Sequence, residues 1–258
     1  MRFGLMIIGS ELLTGKRKDA HLARAIEILE ERGLELSWCK LLADDSELIT
    51  AELRHSFSAR QAVFSFGGIG STPDDVTRQS AARAADVGLV RHSEVQAILE
   101  GRFGEAAYPH RIRMADLPAQ CTLVPNPVNR IPGFSVGDHH FLPGFPEMAW
   151  PMMEWVLAKR YVGLFKNAPS EVLLTVLQAG EGQLVAVMEA FVERFPRLHL
   201  SSLPSMKGSQ RETELGVRGE APAVAAAVEW LTNELRREGF EWQQDCFSSG
   251  TQLPGRSC

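Results

Sequence analysis

The run Phe64-Ser65-Phe66-Gly67-Gly68-Ile69-Gly70-Ser71-Thr72-Pro73-Asp74-Asp75-Val76-Thr77 joins an apolar strand to a helix through a turn rich in glycine and carboxylate, and it constrains this chain more than any other stretch. Gly67, Gly68 and Gly70 can take backbone angles closed to other residues, so a ligand can come close to the main chain there. The helix expected from about Asp74 presents unpaired amides and the positive end of its dipole to the same space. Two acids at such a helix start have two readings: capping charges, or ligands for a divalent cation that bridges bound phosphates. Ser71, Thr72 and Thr77 are phosphate-contact candidates on the same run, with helix capping as the alternative for each.

The stretches around this turn alternate strand and helix. Phe3 to Ile8, Glu35 to Leu42 and Gln61 to Phe66 read as strands. Between them, Leu22, Ile26 and Leu29, closed by Gly33, and then Ile49, Leu53 and Phe57 recur at helical spacing. Such alternation predicts a mostly parallel sheet covered on both faces. Further helices are expected over Val76 to Val87, over Ser93 to Phe103 with Ser93 as cap, and over Glu147 to Lys159 with Met148, Met152, Trp155 and Val156 toward the core. Pro118 to Pro146 holds six prolines and strand-capable fragments such as Cys121 to Val124 and His140 to Leu142, so short strands and shaped loops are expected there. Periodicity lapses from Tyr161 to Ser170. Beyond it the order is strand (Glu171 to Leu177), helix (Gly182 to Phe195), two strands (Leu198 to Leu203, Glu212 to Arg218), helix (Ala221 to Glu238) and strand (Phe240 to Gln244), the βαββαβ order of a small α+β domain. The expected fold class is therefore α/β, with domains at 1–160 and 170–246 and a tail at 247–258.

The bulk numbers exclude several classes. A chain of 258 residues suits one domain of ordinary size and a small one, and 45% hydrophobic with 23% charged residues is a globular composition. A net charge of -5 gives no broad attraction to nucleic acid or to anionic membrane. The sequence support for nucleic-acid binding is the basic turn Lys207-Gly208-Ser209-Gln210-Arg211, for which a solvated loop is the alternative. Cys39, Cys121, Cys246 and Cys258 lack any metal-ligand spacing and read as reduced thiols. Met1 leads straight into an apolar strand without a signal-peptide pattern, and no apolar run nears the ~20 residues of a membrane span, so a cytoplasmic location is expected.

In an open parallel sheet, ligands bind beyond the carboxyl ends of the strands. That rule selects Gly9-Ser10-Glu11, Ala43-Asp44-Asp45 and the glycine turn with Asp74 and Asp75. Glu11, Asp44 and Asp75 are the expected catalytic and metal-holding carboxylates around one crevice, and hard oxygens suit Mg²⁺ or a similar divalent ion. Asp44 and Asp45 have the alternative of capping the helix that contains Ile49. Gly9, Ser10, Thr14 and Gly15 bracket a turn beside Lys16, Arg17 and Lys18 that could hold an anion or simply be solvated. His21 either faces the crevice or sits at a surface or capping position. His139 and His140 are adjacent on a strand, so they point to opposite faces and are poor joint ligands. The loop from Pro125 to Gly133 carries Asn126, Asn129 and Arg130 on a proline-stiffened backbone that suits ring or phosphate recognition, or an ordered crossover. HExxH, serine-elbow, P-loop and Rossmann fingerprints are not found.

Five ordered blocks resemble the MoaB/Mog family of molybdopterin-binding domains, and its CinA-like branch in particular. They are Ile7-Ile8-Gly9-Ser10-Glu11-Leu12-Leu13-Thr14-Gly15, Asp44-Asp45, Gly67 to Thr77, Pro125-Asn126-Pro127 with Pro132-Gly133-Phe134, and Leu142-Pro143-Gly144-Phe145-Pro146. The resemblance covers about residues 3–158, and more loosely the part after Ser170. It implies a three-layer fold that self-associates as a homo-oligomer. It also implies a pocket for a pterin or nucleotide pyrophosphate, with Gly9, Ser10, Thr14, Gly67, Gly68, Gly70, Ser71, Thr72, Thr77, Asn126, Pro143 and Gly144 around the ligand. Relatives divide between molybdenum-cofactor work, in which molybdopterin is bound or adenylylated, and metal-dependent cleavage of ADP-ribose or FAD. CinA-like chains usually carry proline at the place of Ser71 and asparagine at that of His21. The expected length after Cys246 leaves no room for the amidohydrolase domain of full-length relatives.

Overall fold

The structure, a computed structural model, describes residues 1–207 and 210–245. Cys246, Cys258 and the tail at 247–258 lie outside the described residues. The chain divides between Asn167 and Ala168 into two units.

In unit 1, β1 (Phe3–Ile8), the short α1 (Ser10–Leu13), α2 (His21–Glu30), β2 (Leu36–Leu42), α3 (Ser46–Ser58), β3 (Ala62–Phe66) and α4 (Thr77–Ala84) alternate as expected. They are followed by β4 (Leu89–Arg91), α5 (Ser93–Phe103), β5 (Asp116–Pro118), β6 (Thr122–Val124), β7 (Gly133–Val136), β8 (His139–Leu142) and α6 (Pro146–Arg160). The main sheet runs β2-β1-β3-β8-β7-β6. Its first four strands are parallel, and β6 and β7 complete it antiparallel. A separate pair, β4 and β5, is antiparallel.

Every residue of β1 is buried, which is why it reads as one unbroken apolar run. Phe3, Leu5 and Ile7 pack with Ala25, Ile28 and Leu29 of α2 and with Met152, Met153 and Val156 of α6. Met6 and Ile8, on the opposite face, pack with Ile49 and Leu53 of α3, Ala81 of α4, and Val95 and Leu99 of α5. The result is a three-layer α/β unit.

Three local expectations need correction. The inner face of α2 is His21, Ala25, Ile28 and Leu29, whereas Ile26 is exposed, because the His21 ring is itself a core element. In α6 the buried residues are Ala149, Met152, Met153, Val156 and Leu157, and Trp155 faces outward. The helix after the glycine turn starts at Thr77, not near Asp74, because Asp75 closes the preceding turn onto Thr72. Cys39 and Cys121 are free thiols, and burial pushes Cys39 up to about 11.

Unit 2 comprises β9 (Ser170–Leu177), α7 (Glu181–Arg194), β10 (His199–Lys207), β11 (Gln210–Gly219), α8 (Ala221–Arg237) and β12 (Trp242–Asp245). Its sheet runs β10-β11-β9-β12 with each neighbouring pair antiparallel. Leu174, Val176, Leu215 and Val217 meet Leu184, Val187 and Phe191 of α7 and Val224, Leu231 and Leu235 of α8. This is the βαββαβ order read from the sequence. Among the described residues no helix is long and apolar enough to cross a membrane.

Candidate functional site

The glycine turn is held by backbone geometry that its sequence makes possible. Gly67 has φ +103°, and a Cβ there would stand 2.2 Å from the Ile8 carbonyl oxygen. Gly68 has φ +67°, and its Cβ would meet Thr77 Oγ1 at 2.1 Å. Thr77 N donates to the Gly68 carbonyl at 3.0 Å, which ties the start of α4 back to the turn. Gly67→Ala is expected to destabilise unit 1 by about 3 kcal/mol, summing positive-φ strain and a backbone clash. Urea unfolding checks this, and an unchanged midpoint would contradict it.

Asp75 organises the rest of the turn. Its Oδ2 accepts from Thr72 N at 2.8 Å and from Thr72 Oγ1 at 2.6 Å, and Asp75 N donates to the Thr72 carbonyl at 3.1 Å. Both Thr72 bonds fall on one carboxylate oxygen, Oδ2. The neighbouring Asp74 is exposed, and hydrogen bonding from Thr72 holds it below its usual carboxylate range.

Beside the turn lies a cavity of about 400 Å³. Its polar lining comes from the stretch Gly68 to Thr72, Asp75, Arg78, Asn126 and Asn129. Its apolar lining comes from Met114, Leu117, Ile131, Phe134 and Met148, with Pro143, Gly144 and Phe145 also contributing. Asn126 is buried, and its Oδ1 accepts from Val128 N at 3.0 Å and Asn129 N at 3.4 Å, so it shapes the loop as well as lining the cavity.

Of the expected site residues, Gly68, Gly70, Ser71, Thr72, Asp75, Asn126, Pro143 and Gly144 line this cavity. Gly67 supports it from behind, and the Thr77 hydroxyl is buried against Gly68 without a hydrogen-bond partner. Gly9, Ser10, Glu11, Thr14 and Asp44 do not line it. Ser10 N donates to Asp44 Oδ2 at 2.8 Å and Ser10 Oγ accepts from Asp44 N at 3.1 Å, so this pair ties α1 to the end of β2. Thr14 Oγ1 donates back to the carbonyls of Ser10 and Glu11. Asp45, not Asp44, caps α3, accepting from Glu47 N at 2.8 Å and Leu48 N at 3.0 Å. The shared three-carboxylate site therefore needs correction: among the described residues no three His, Cys, Asp or Glu side chains gather to hold a metal ion.

His21 is neither a surface nor a capping residue. Its ring stacks on Phe66 at 4.5 Å, and Nε2 lies 3.2 Å from the Gly144 carbonyl, behind the cavity loop. Burial lowers its pKa, and Nδ1 has no partner. His139 and His140 do face opposite sides of the sheet, one bonded to Ser56 of α3 and the other to Tyr161 after α6. Arg78 and the apolar lining of the cavity were missed from sequence. Arg78 shares the buried face of α4 with Ala81 and Ala82, a helical spacing that could have revealed it.

Residues 4–161, all within unit 1, match a family model described as "Probable molybdopterin binding domain". The chain belongs to that family. A CinA-like protein from Citrifermentans bemidjiense is 32% identical over 219 residues, covering 78% of this chain and 53% of the relative. A CinA-like protein from Geobacter sp. strain M21 is 31% identical over 245 residues, covering 92% of this chain and 58% of the relative. The chain thus spans somewhat over half the length of these curated relatives. Among solved structures, the CinA protein of Thermoplasma acidophilum, whose function is described as unknown, superposes with a TM-score of 0.56 at 25% identity. That superposition covers 61% of this chain and 98% of the other. This molybdopterin-binding-family protein is similar to CinA-like proteins, and its matched region contains the whole cavity described above.

Proposed function

We propose that the molybdopterin-binding domain holds a pterin- or nucleotide-type ligand through its diphosphate and hydrolyses that diphosphate, as in ADP-ribose or FAD, with Mg²⁺ or a similar divalent ion. The observation that carries this reading is the mixed polar and apolar lining of the cavity. Its size falls in the range of small-molecule sites, and its lining offers both phosphate-compatible polar groups and ring-compatible apolar ones. Backbone amides of the glycine turn approach the ligand without side chains between them. The apolar lining seats the ring and excludes water.

The residues fit a hard cation in a reduced form of the arrangement expected from sequence. Asp75 supplies one carboxylate, with the Ser71 and Thr72 hydroxyls on the same turn. One carboxylate suffices where phosphate oxygens and waters complete the shell of Mg²⁺. Such an ion, when bound, polarises a phosphoryl oxygen and makes its water a better nucleophile. Incubation with ADP-ribose or FAD is expected to release AMP with Mg²⁺ or Mn²⁺ and to stop on chelation. No AMP with either ion would reject hydrolysis.

A second reading is favoured by the Asp75–Thr72 pair, since a carboxylate already hydrogen-bonded to its own loop is suited to shaping a binding site. In that reading the domain binds molybdopterin or its nucleotide form, or transfers adenylyl to it, without hydrolysis; tight molybdopterin binding without AMP release supports it. A non-enzymatic nucleic-acid role rests on Lys207 to Arg211, where Gly208 and Ser209 lie outside the described residues. Salt-sensitive RNA binding tests that idea. Homo-oligomerisation and a cytoplasmic location belong to the same proposal, the former checked by sedimentation equilibrium.

A further inference from the structure

Arg78 stands in the cavity wall with an unmet bonding capacity. Only 3% of it is exposed, yet it lines the cavity. Its Nη2 donates to the Gly70 carbonyl at 2.7 Å, and its Nη1 donates to the carbonyls of Asp116, at 3.1 Å, and Arg113. The Nε–H is buried and has no partner. Among the described residues no carboxylate forms an ion pair with this guanidinium. The nearby acids are engaged elsewhere: Asp116 takes Arg91 at 2.6 and 3.1 Å, and Asp75 Oδ2 takes Thr72.

A guanidinium stays ionised when buried, so its charge must be met by something. Three backbone carbonyls meet part of it. They also fix the plane of the group within the cavity wall. Burial pulls Arg78 below its ordinary pKa, with the charges of Asp75 and Asp116 opposing that shift and Arg113 adding to it. A purely structural anchor for Gly70 would not need a cavity-lining residue with a donor left over.

We infer that Arg78 is the anion-selecting residue of this cavity, its Nε–H and unpaired charge binding an oxygen of the ligand's diphosphate. The inference rests on the reading above that the ligand carries a diphosphate, and it deepens that reading. Asp75 and Arg78 then divide the polar lining between them, the acid facing a cation and the guanidinium an anion. A neutral nucleoside, which has nothing to offer Arg78, is discriminated against.

The test is calorimetric titration of the full chain with ADP-ribose and with adenosine, each with and without Mg²⁺, for the wild type, Arg78→Lys and Arg78→Gln. Loss of a charge-assisted bond predicts about 10- to 100-fold weaker ADP-ribose binding in Arg78→Gln and a smaller loss in Arg78→Lys, which keeps the charge, with adenosine binding unchanged. Wild-type affinity for ADP-ribose in Arg78→Gln overturns the assignment and leaves the diphosphate reading standing. Where the variants do not fold, a wild-type crystal soaked in inorganic pyrophosphate decides. A phosphate oxygen within hydrogen-bond distance of Arg78 Nε supports the inference, and pyrophosphate bound with Nε bare overturns it. Pyrophosphate on Arg78 with no uptake of ADP-ribose or FAD upholds the anion site and removes the nucleotide reading.

Discussion

Lowering the pH from about 8 to about 5 is expected to destabilise the molybdopterin-binding domain by about 4 kcal/mol, about half from each of two buried histidines. His139 is 2% exposed, lies against Phe57 with ring centroids 3.9 Å apart, and bonds Ser56 Oγ through Nε2 at 2.8 Å. Burial lowers its pKa to about 4. His140 is fully buried between Ser135 Oγ and the Tyr161 hydroxyl, each at 2.8 Å. Burial first, then the charges of Arg160 and His139, lowers it to about 3. Tyr161 donates to Asp138 Oδ1 at 3.1 Å, so its oxygen accepts from His140 Nε2–H, and Nδ1 is left to accept from Ser135. A second proton on that ring requires the Ser135 hydroxyl to turn from donor to acceptor, and it puts a charge in a fully buried site.

The direction follows from which state binds protons first. An unfolded histidine protonates near 6.5, and these folded ones only near 4 and 3. Stability is therefore fully present above about pH 6.5 and is lost as the pH falls toward the folded values. His21, also lowered by burial, adds in the same sense. Urea unfolding of the domain followed across this pH range checks the slope. A flat profile would mean that these rings are protonated, or solvated, in the native state.

The same residues show where the sequence was legible. Strands buried on both faces must be apolar throughout, so Phe3 to Ile8 and Gln61 to Phe66 announce a parallel sheet, and glycine at three positions announces a close-approach turn. Side-chain direction is another matter. The rule that loops gather at the carboxyl ends of strands locates Glu11 and Asp44 near the sheet rim, but local hydrogen bonding decides where a carboxylate points. The Ser10 amide takes that of Asp44, and the Thr72 amide and hydroxyl take part of that of Asp75. His21 was misread and Arg78 was missed for one reason: both are polar by type and buried by position. A ring stacked on Phe66 and a guanidinium bonded to carbonyls satisfy burial through partners far along the chain. Met114, Leu117, Ile131 and Phe134 carry no shared periodicity, because short segments assemble the apolar lining only in three dimensions.

Asp75→Asn is expected to leave the fold intact and to lower metal-dependent AMP release from ADP-ribose by at least about 100-fold, the scale of losing several kcal/mol of cation-derived stabilisation. Asparagine keeps an oxygen for the Thr72 amide and hydroxyl, so the turn that presents Gly68 to Thr72 persists. What disappears is the negative charge in the polar lining of the cavity, and with it the anchor for a divalent ion. Asp44→Asn supplies the contrast. Asp44 lies outside the cavity and engages Ser10, so its substitution costs about 1 kcal/mol of stability through a weakened charge-assisted bond while turnover persists. Steady-state assays of the two variants, with circular dichroism to confirm folding, separate the sites. Loss of turnover in Asp44→Asn with full turnover in Asp75→Asn would move the cation to the Ser10–Asp44 corner. It would also leave the glycine turn as a binding surface alone.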